Sequence, residues 1–291
     1  MRKIMYKKTK SILNMIKFEH TIFALPFAYI GAVLGSITVN QSLPSWWSIL
    51  WITVAMVGAR SAAMALNRLI DKSIDAMNPR TETREIPAGK VSVKETVVFT
   101  VISFFLLFFA AYQLNMLAVY LLPIAVFFLI VYSYTKRFTW MCHIVLGIAI
   151  GLAPVGGWVG ATGTLPIEAW LMLITVALWT AGFDIIYSCQ DVSFDKQQRL
   201  HSIPVRFGLK NALIIARVMH AITAILLFTW YFVYPLGLWY IVGAIIASII
   251  LHYEHKLVHY NDLSKLNTAF FTMNGILSVI IFVFTLIDIF L

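Results

Sequence analysis

The sequence predicts an all-α protein, a multi-pass bundle of about nine transmembrane helices with cap loops at one end. Composition is the first reason: 60% of the 291 residues are hydrophobic and 12% charged, against roughly 45–50% apolar and about 25% charged in soluble domains. The second is blockiness, because a hydrocarbon core of about 30 Å needs roughly 20 consecutive apolar residues per helical crossing. The third is the distribution of positive charge, which alternates between connections.

Apolar spans are expected near 20–39, 46–66, 95–112, 115–134, 141–161, 167–188, 211–232, 236–253 and 269–290. Backbone groups in lipid must pair internally, so each span is a helix or a strand of a closed barrel. Barrel strands alternate apolar and polar residues, and the run Val-Ile-Ser-Phe-Phe-Leu-Leu-Phe-Phe from Val101 does not. The basic stretch 1–17 before the first span resembles a secretory signal. Eight further spans and the lack of an A-x-A-like cleavage site make it a retained first helix. The fifth span is glycine-rich from Gly147 to Gly163 and contains Pro154, a pattern that close helix packing explains. Long connections at 76–94 and 196–210 carry Pro79, Pro87, Gly89, Pro204 and Gly208, which break a continuous helix and predict short ordered caps. No linker or low-complexity stretch divides the chain, so 1–291 reads as a single integral-membrane domain.

Twenty of the 22 Lys and Arg residues fall in the N-terminal segment or in connections 2–3, 4–5, 6–7 and 8–9. Arg60 and Arg217 lie toward the same ends of their spans, and the opposite connections have none. The positive-inside rule then puts the N-terminus and the long loops in the cytoplasm and the C-terminus outside, in a cell or inner membrane. The net charge of +9 suits this topology and attraction to anionic lipid rather than a nucleic-acid partner. Cys142 and Cys189 sit within spans and read as packing residues.

Two acidic signatures stand where apolar stretches run into basic segments. Asn67, Asp71 and Asp75 step by four; Asp184, Tyr187, Asp191 and Asp195 follow a three-four-four spacing. On a helix each set keeps to one face. Mg²⁺ requires hard oxygen ligands and commonly binds one or two carboxylates together with substrate phosphate. Two facing carboxylate stripes therefore suit Mg²⁺ ions clamped on a diphosphate, with Arg80, Arg84, Lys136, Lys196 and Arg206 as further counter-charge. A carboxylate at a membrane surface is often just solvated, as expected for Glu168 and Asp288. Asp184 lies inside an apolar span, where an ionisable group is costly and defaults to a functional role. An internal echo accompanies the signatures: each leads into an Ile-Pro turn, at Ile86-Pro87 and Ile203-Pro204. Two related halves and chance similarity explain it equally well.

With Tyr132-Ser-Tyr134-Thr-Lys136-Arg137 between spans four and five, these motifs resemble the UbiA superfamily of membrane prenyltransferases. That family carries N-x-x-x-D-x-x-x-D after helix two, Y-x-Y-x-K-R, and D-x-x-Y-x-x-x-D-x-x-x-D after helix six. The similarity spans essentially the whole chain. Asn67-Arg, Asn78-Pro-Arg-Thr and Leu-His-Ser-Ile-Pro most resemble the 4-hydroxybenzoate polyprenyltransferase-like branch. Lys17-Phe-Glu-His20-Thr departs from that branch's Arg-x-Asp-x-Pro pattern, which leaves the acceptor open.

The resemblance implies Mg²⁺-dependent transfer of a polyprenyl group from its diphosphate to an aromatic acceptor, 4-hydroxybenzoate first, in quinone biosynthesis. Prenylation of a dihydroxynaphthoate on a menaquinone route is the runner-up; chlorophyll-type prenylation is a further rival, as is haem O synthase-like transfer, which the Asn67-Arg opening fits less well. It implies Mg²⁺ at Asn67, Asp71, Asp75, Asp184, Asp191 and Asp195, and diphosphate oxygens at Arg80, Lys136 and Lys196. Either Asp71 or Asp191 would take the phenolic proton, and spacing does not choose. Arg60, Lys17 and His20 are the cationic candidates for the carboxylate of a small aromatic acid. Tyr134, Tyr187 and Phe183 offer aromatic faces to the allylic cation. The isoprenoid tail needs an apolar groove open to membrane lipid. A secondary transporter is the remote alternative, expecting charged groups and broken helices near the midplane.

Overall fold

A computed structural model describes the backbone of residues 2–17 and 24–291, and the side chains of 8–17 and 24–291. It is a helical bundle. Helix α1 (Arg2–Met15) precedes α2 (Leu25–Asn40) and the long α3 (Trp46–Ile70), followed by the short α4 (Lys72–Met77). Three spans follow as α5 (Val93–Leu114), α6 (Met116–Thr135) and α7 (Cys142–Thr162). Then come α8 (Ile167–Ser188), the short α9 (Val192–Gln197), α10 (Ile203–Val233) and α11 (Leu238–Leu257). A π-helical turn, Thr268–Met273, leads into α12 (Asn274–Phe290). Eight of these helical stretches are long and apolar enough to cross a membrane, and α2 is a shorter apolar helix. The expected nine spans are therefore present among the described residues, most with ends within two or three positions of expectation.

Local chemistry sets the helix starts. Side chains of Ser45, Ser92, Asn115 and Ser202 each accept a backbone N–H three residues on, satisfying donors that have no partner within a helix's first turn. At Ser92 the cap is reciprocal, because Glu95 also accepts from the Ser92 backbone. The largest difference from expectation lies at one start. The seventh span starts at Ile203 rather than near 211, with Pro204 in its first turn. Gly208 interrupts it with φ 79° and ψ 162°, a left-handed conformation that favours glycine.

Helix α7 packs chiefly on α2 and α8, α3 on α5, α8 on α10, and α11 on α12. The glycine-rich stretch of α7 makes this possible. A Cβ on Gly157 would collide with the Ala28 carbonyl of α2, and one on Gly147 with the Ala177 carbonyl of α8. Lipid tails are as apolar as leucine, so backbones held this close are a main source of cohesion between membrane helices. Trp158, Trp179, Trp230 and Tyr240 lie fully buried in the main core. Two indole N–H groups find oxygens there: Trp179 donates to Asn274 Oδ1 at 2.7 Å and Trp230 to Thr175 Oγ1 at 3.0 Å.

Candidate active site

Each acidic signature straddles a break in its helix, where the spacing alone suggested one continuous face. Helix α3 stops at Ile70, and Asp71 (φ −90°, ψ 4°) joins it to α4. Helix α8 stops at Ser188; a single 3₁₀ turn, Cys189–Asp191, joins it to α9, and Asp191 has φ −98°, ψ 0°. Both central aspartates thus occupy the sparsely populated bridge region, where active-site residues often sit. The breaks bend the chain at the basic end of the bundle, and Asp71, Asp75, Asp184, Asp191 and Asp195 all line one cavity of about 540 Å³. Asn67 lines it too.

Three of these carboxylates grip Lys or Arg side chains. Asp71, buried, accepts from Lys136 at 2.7 Å and Arg137 at 2.9 Å, and from Asn67 Nδ2 at 3.2 Å. Asp75, also buried, meets Arg84 at 2.7 Å. Asp191 takes a two-pronged grip from Arg80, Nε to Oδ1 at 2.8 Å and a terminal nitrogen to Oδ2 at 2.7 Å. The other terminal nitrogen of Arg80 donates to the Tyr187 hydroxyl at 3.1 Å. Burial lowers the Arg80 pKa, but the hydrogen bond and charge of Asp191 outweigh it and raise the net value, so the guanidinium stays cationic. Arg80 and Asp191 come from opposite halves of the chain, and Asn78 reinforces the junction by donating to Asp191 Oδ1 at 3.4 Å.

Beyond this charged mouth the cavity wall turns apolar along α3, α6 and α7, as far as Leu165 and Trp170. From Asp184 to Trp170 along α8 is about 21 Å at 1.5 Å per residue.

Of the remaining candidates, Lys17, Arg60, Arg80, Arg84, Lys136 and Tyr187 line the same cavity. Three do not. Lys196 is exposed on the outer side of α9. Arg206 is exposed and lies over the Trp140 and Phe207 rings, 5.4 Å and 5.6 Å from their centroids. Tyr134 is 44% exposed and lies under the Arg137 guanidinium, 5.5 Å from its ring centroid. In each case nearness in sequence did not survive the turn of the helix. His20 lies outside the described residues.

The structure also adds residues. Arg137 was visible in the Tyr-x-Tyr-x-Lys-Arg motif, yet only the fold shows that it shares Asp71 with Lys136. His143 is buried in α7; its Nε2 accepts the Ile203 backbone N–H at 3.3 Å, so Nδ1 carries the proton donated to Asp184 Oδ2 at 2.6 Å. An ionisable residue inside an apolar span was the available signal. Phe270 and Phe271 also reach the cavity, from α12's leading π-turn, and carried no sequence signal.

Among the described residues no three carboxylates, imidazoles or thiols converge tightly enough to hold one cation. The donor set still suits Mg²⁺, which keeps waters and takes only one or two protein carboxylates when phosphate supplies the rest. One carboxylate oxygen stands ready: Asp75 Oδ2 is buried in the wall with no hydrogen-bond partner. Such an atom costs free energy unless something occupies it.

Fold and site together define a polytopic membrane protein with a charge-balanced acidic mouth opening into a long apolar chamber. The profile of the UbiA prenyltransferase family matches residues 24–276. The chain belongs to that family. It is 26% identical over 275 residues to a 4-hydroxybenzoate octaprenyltransferase of Vibrio campbellii, covering 94% of this chain and 96% of the relative. Among solved structures, a UbiA homolog from Aeropyrum pernix K1 in its apo form superimposes with a TM-score of 0.85 at 33% identity, covering 93% of this chain and 98% of the other. A UbiA homolog from Archaeoglobus fulgidus bound to DMAPP and Mg²⁺ shares the fold, with a TM-score of 0.75, 20% identity and coverage of 97% and 99%.

Proposed function

We propose that this chain transfers a polyprenyl group from a polyprenyl diphosphate to an aromatic acceptor, 4-hydroxybenzoate, in quinone biosynthesis. The observation that carries this reading is the meeting of both acidic signatures with Arg80, Arg84 and Lys136 at the one polar end of an otherwise apolar cavity. A prenyl diphosphate has that polarity: a compact, highly charged head on a long hydrocarbon tail. The name of the Vibrio relative supports the acceptor, and the ligands of the Archaeoglobus homolog support the donor class and the metal.

Asp71, Asp75, Asp184, Asp191, Asp195 and the Asn67 amide oxygen are the groups that would hold Mg²⁺. When bound, such cations neutralise the diphosphate and make it a better leaving group. The protein's own part follows from its ion pairs. Arg80, Arg84 and Lys136 neutralise the carboxylates while no diphosphate is present. A diphosphate offers them more charge and more acceptor oxygens, so their donors turn to it and the carboxylates are freed for cations. The tail lies in the apolar chamber, whose walls exclude the water that would quench an allylic cation. The C–O bond to the diphosphate breaks and the acceptor ring attacks through the carbon beside its hydroxyl. Asp71 or Asp191 takes the phenolic proton, and loss of the displaced ring proton restores the aromatic ring as the oxygen regains a proton, so one proton leaves in all. Arg60 and Lys17 line the cavity as counter-charges for an acceptor carboxylate. The basic end faces the cytoplasm, with the N-terminus inside and the C-terminus outside.

The test offers detergent-purified protein one polyprenyl diphosphate, Mg²⁺ and a panel containing 4-hydroxybenzoate, 1,4-dihydroxy-2-naphthoate and simple phenols. Prenylated 4-hydroxybenzoate that disappears on chelation is the expected product. Preference for the naphthoate reassigns the acceptor, and chelator-resistant transfer or no product at all rejects the mechanism.

A further inference from the structure

A second polar cluster is buried among α8, α10, α11 and α12. Its centre is Asn274, fully enclosed. The Asn274 oxygen accepts from Trp179 Nε1 at 2.7 Å. Its amide nitrogen donates to Glu254 Oε1 at 3.0 Å and to the carbonyls of Ala269 and Phe270 at 3.1 Å and 3.0 Å. His220 extends the cluster, donating from Nε2 to the Trp179 carbonyl at 3.1 Å, with His255 Nε2 3.0 Å from its Nδ1. Polar groups this deep in a membrane bundle are costly. Glu254 Oε2 has no hydrogen-bond partner, but both the oxygen and the nitrogen of Asn274 are engaged, and those bonds specify one local arrangement around it.

The arrangement specified is the π-turn. Ala269 and Phe270 lie within Thr268–Met273, where the wider turn departs from the ordinary helical ladder. The turn carries Phe270 to the cavity, where it stacks on Tyr187 with centroids 4.1 Å apart at 28° and meets Phe183 edge-on at 5.3 Å. Tyr187 accepts a hydrogen bond from Arg80, whose guanidinium lies over the ring 5.4 Å from its centroid. An unbroken series of contacts therefore runs from the buried cluster through Asn274, Phe270 and Tyr187 to Arg80.

We propose that the Asn274 cluster is a positioning assembly for Arg80, holding its guanidinium in advance over the Tyr187 ring at the cavity mouth, from where a short turn away from Asp191 brings it onto the donor's diphosphate. This rests on the reading that Arg80 takes the diphosphate. Arg80 sits in an irregular loop after α4, and its side chain is 32% exposed. A long flexible side chain on a loop loses rotamer freedom whenever it binds a ligand. Fixing it beforehand reduces that loss and raises affinity without a new ligand contact. Asn274 and Phe270 are positioning residues, acting through Tyr187.

The experiment titrates inorganic pyrophosphate with Mg²⁺ into full-length protein in detergent, by calorimetry. Asn274→Ala and Phe270→Leu each weaken binding about tenfold, equivalent to about 1.4 kcal/mol. Phe270→Tyr, which keeps the stacking face, recovers most of the loss. In an Arg80→Lys background, which lacks the forked grip, Asn274→Ala adds less than about twofold, because coupled sites are non-additive. Gel filtration and melting temperature confirm folding, and Phe270→Leu carries the test should Asn274→Ala not fold. Unchanged affinity in folded variants overturns the proposal. So does a full tenfold loss that persists in the Arg80→Lys background, since that marks a general structural role. Wild-type protein that binds no pyrophosphate removes the diphosphate reading and this proposal together, whereas wild-type binding with indifferent variants removes this proposal alone.

Discussion

Replacing Arg80 by lysine separates charge from geometry at the mouth of the cavity. Arg80 makes three hydrogen bonds from one planar group: 2.8 Å and 2.7 Å to the two Asp191 oxygens and 3.1 Å to the Tyr187 hydroxyl. Lysine keeps the positive charge but is a point donor that cannot span two oxygens. Moved onto a diphosphate, it keeps one strong bond and loses the other. A hydrogen bond to a charged group is worth about 1.5–3 kcal/mol. Because the side chain is 32% exposed, the lower part of that range applies, and about 2 kcal/mol corresponds to roughly 30-fold in kcat/KM. The assay follows prenylated acceptor by liquid chromatography at varied donor concentration, for wild type, Arg80→Lys and Arg80→Gln. Arg80→Gln should fall well below Arg80→Lys. Arg80→Lys within about threefold of wild type would show that the fork does not matter, and matching variants would show that the charge does not; either result refutes the reasoning.

Asp71→Ala and Asp191→Ala should each reduce transfer to below about a hundredth of wild type, the range for losing a key electrostatic group, while the protein still elutes as a folded species. Near-normal turnover in both removes the metal-clamp reading. His143→Leu strips the proton donor from Asp184 and the acceptor from the Ile203 N–H; we expect about a tenfold loss of activity at least, from a charge-assisted bond of about 1.5–3 kcal/mol, with His143→Asn retaining more than His143→Leu. Equal activity in the two would show that the bond to Asp184 is dispensable. Gly157→Leu forces apart α2 and α7 at the Ala28 carbonyl and should destabilise the protein by about 1–3 kcal/mol or more, read as a lower melting temperature in detergent. An unchanged melting temperature would mean that this seam is not close-packed.

Apolar blocks of about 20 residues were enough to specify the bundle, because the need to pair backbone groups in lipid leaves few other options. The sequence also picked out carboxylates that share one cavity. Asp71, Asp75, Asp184, Asp191 and Asp195 were marked by spacing and by the cost of charge next to apolar spans, and all of them line one cavity. Tertiary structure alone decided how each is held. Spacing does not reveal that Asp71 and Asp191 sit at helix breaks, and a break of one residue reorients every side chain after it. That rotation is why Lys196 and Arg206 stand exposed while Arg137, visible in the Tyr-x-Tyr-x-Lys-Arg motif but not among the expected counter-charges, reaches Asp71. Contacts such as Arg80 with Asp191, 111 residues apart, or Phe270 with Tyr187, depend on how helices stack. Stacking is set by close fits such as Gly157 against Ala28; the glycine-rich span announced close packing, but which backbone each glycine meets depends on how the helices assemble.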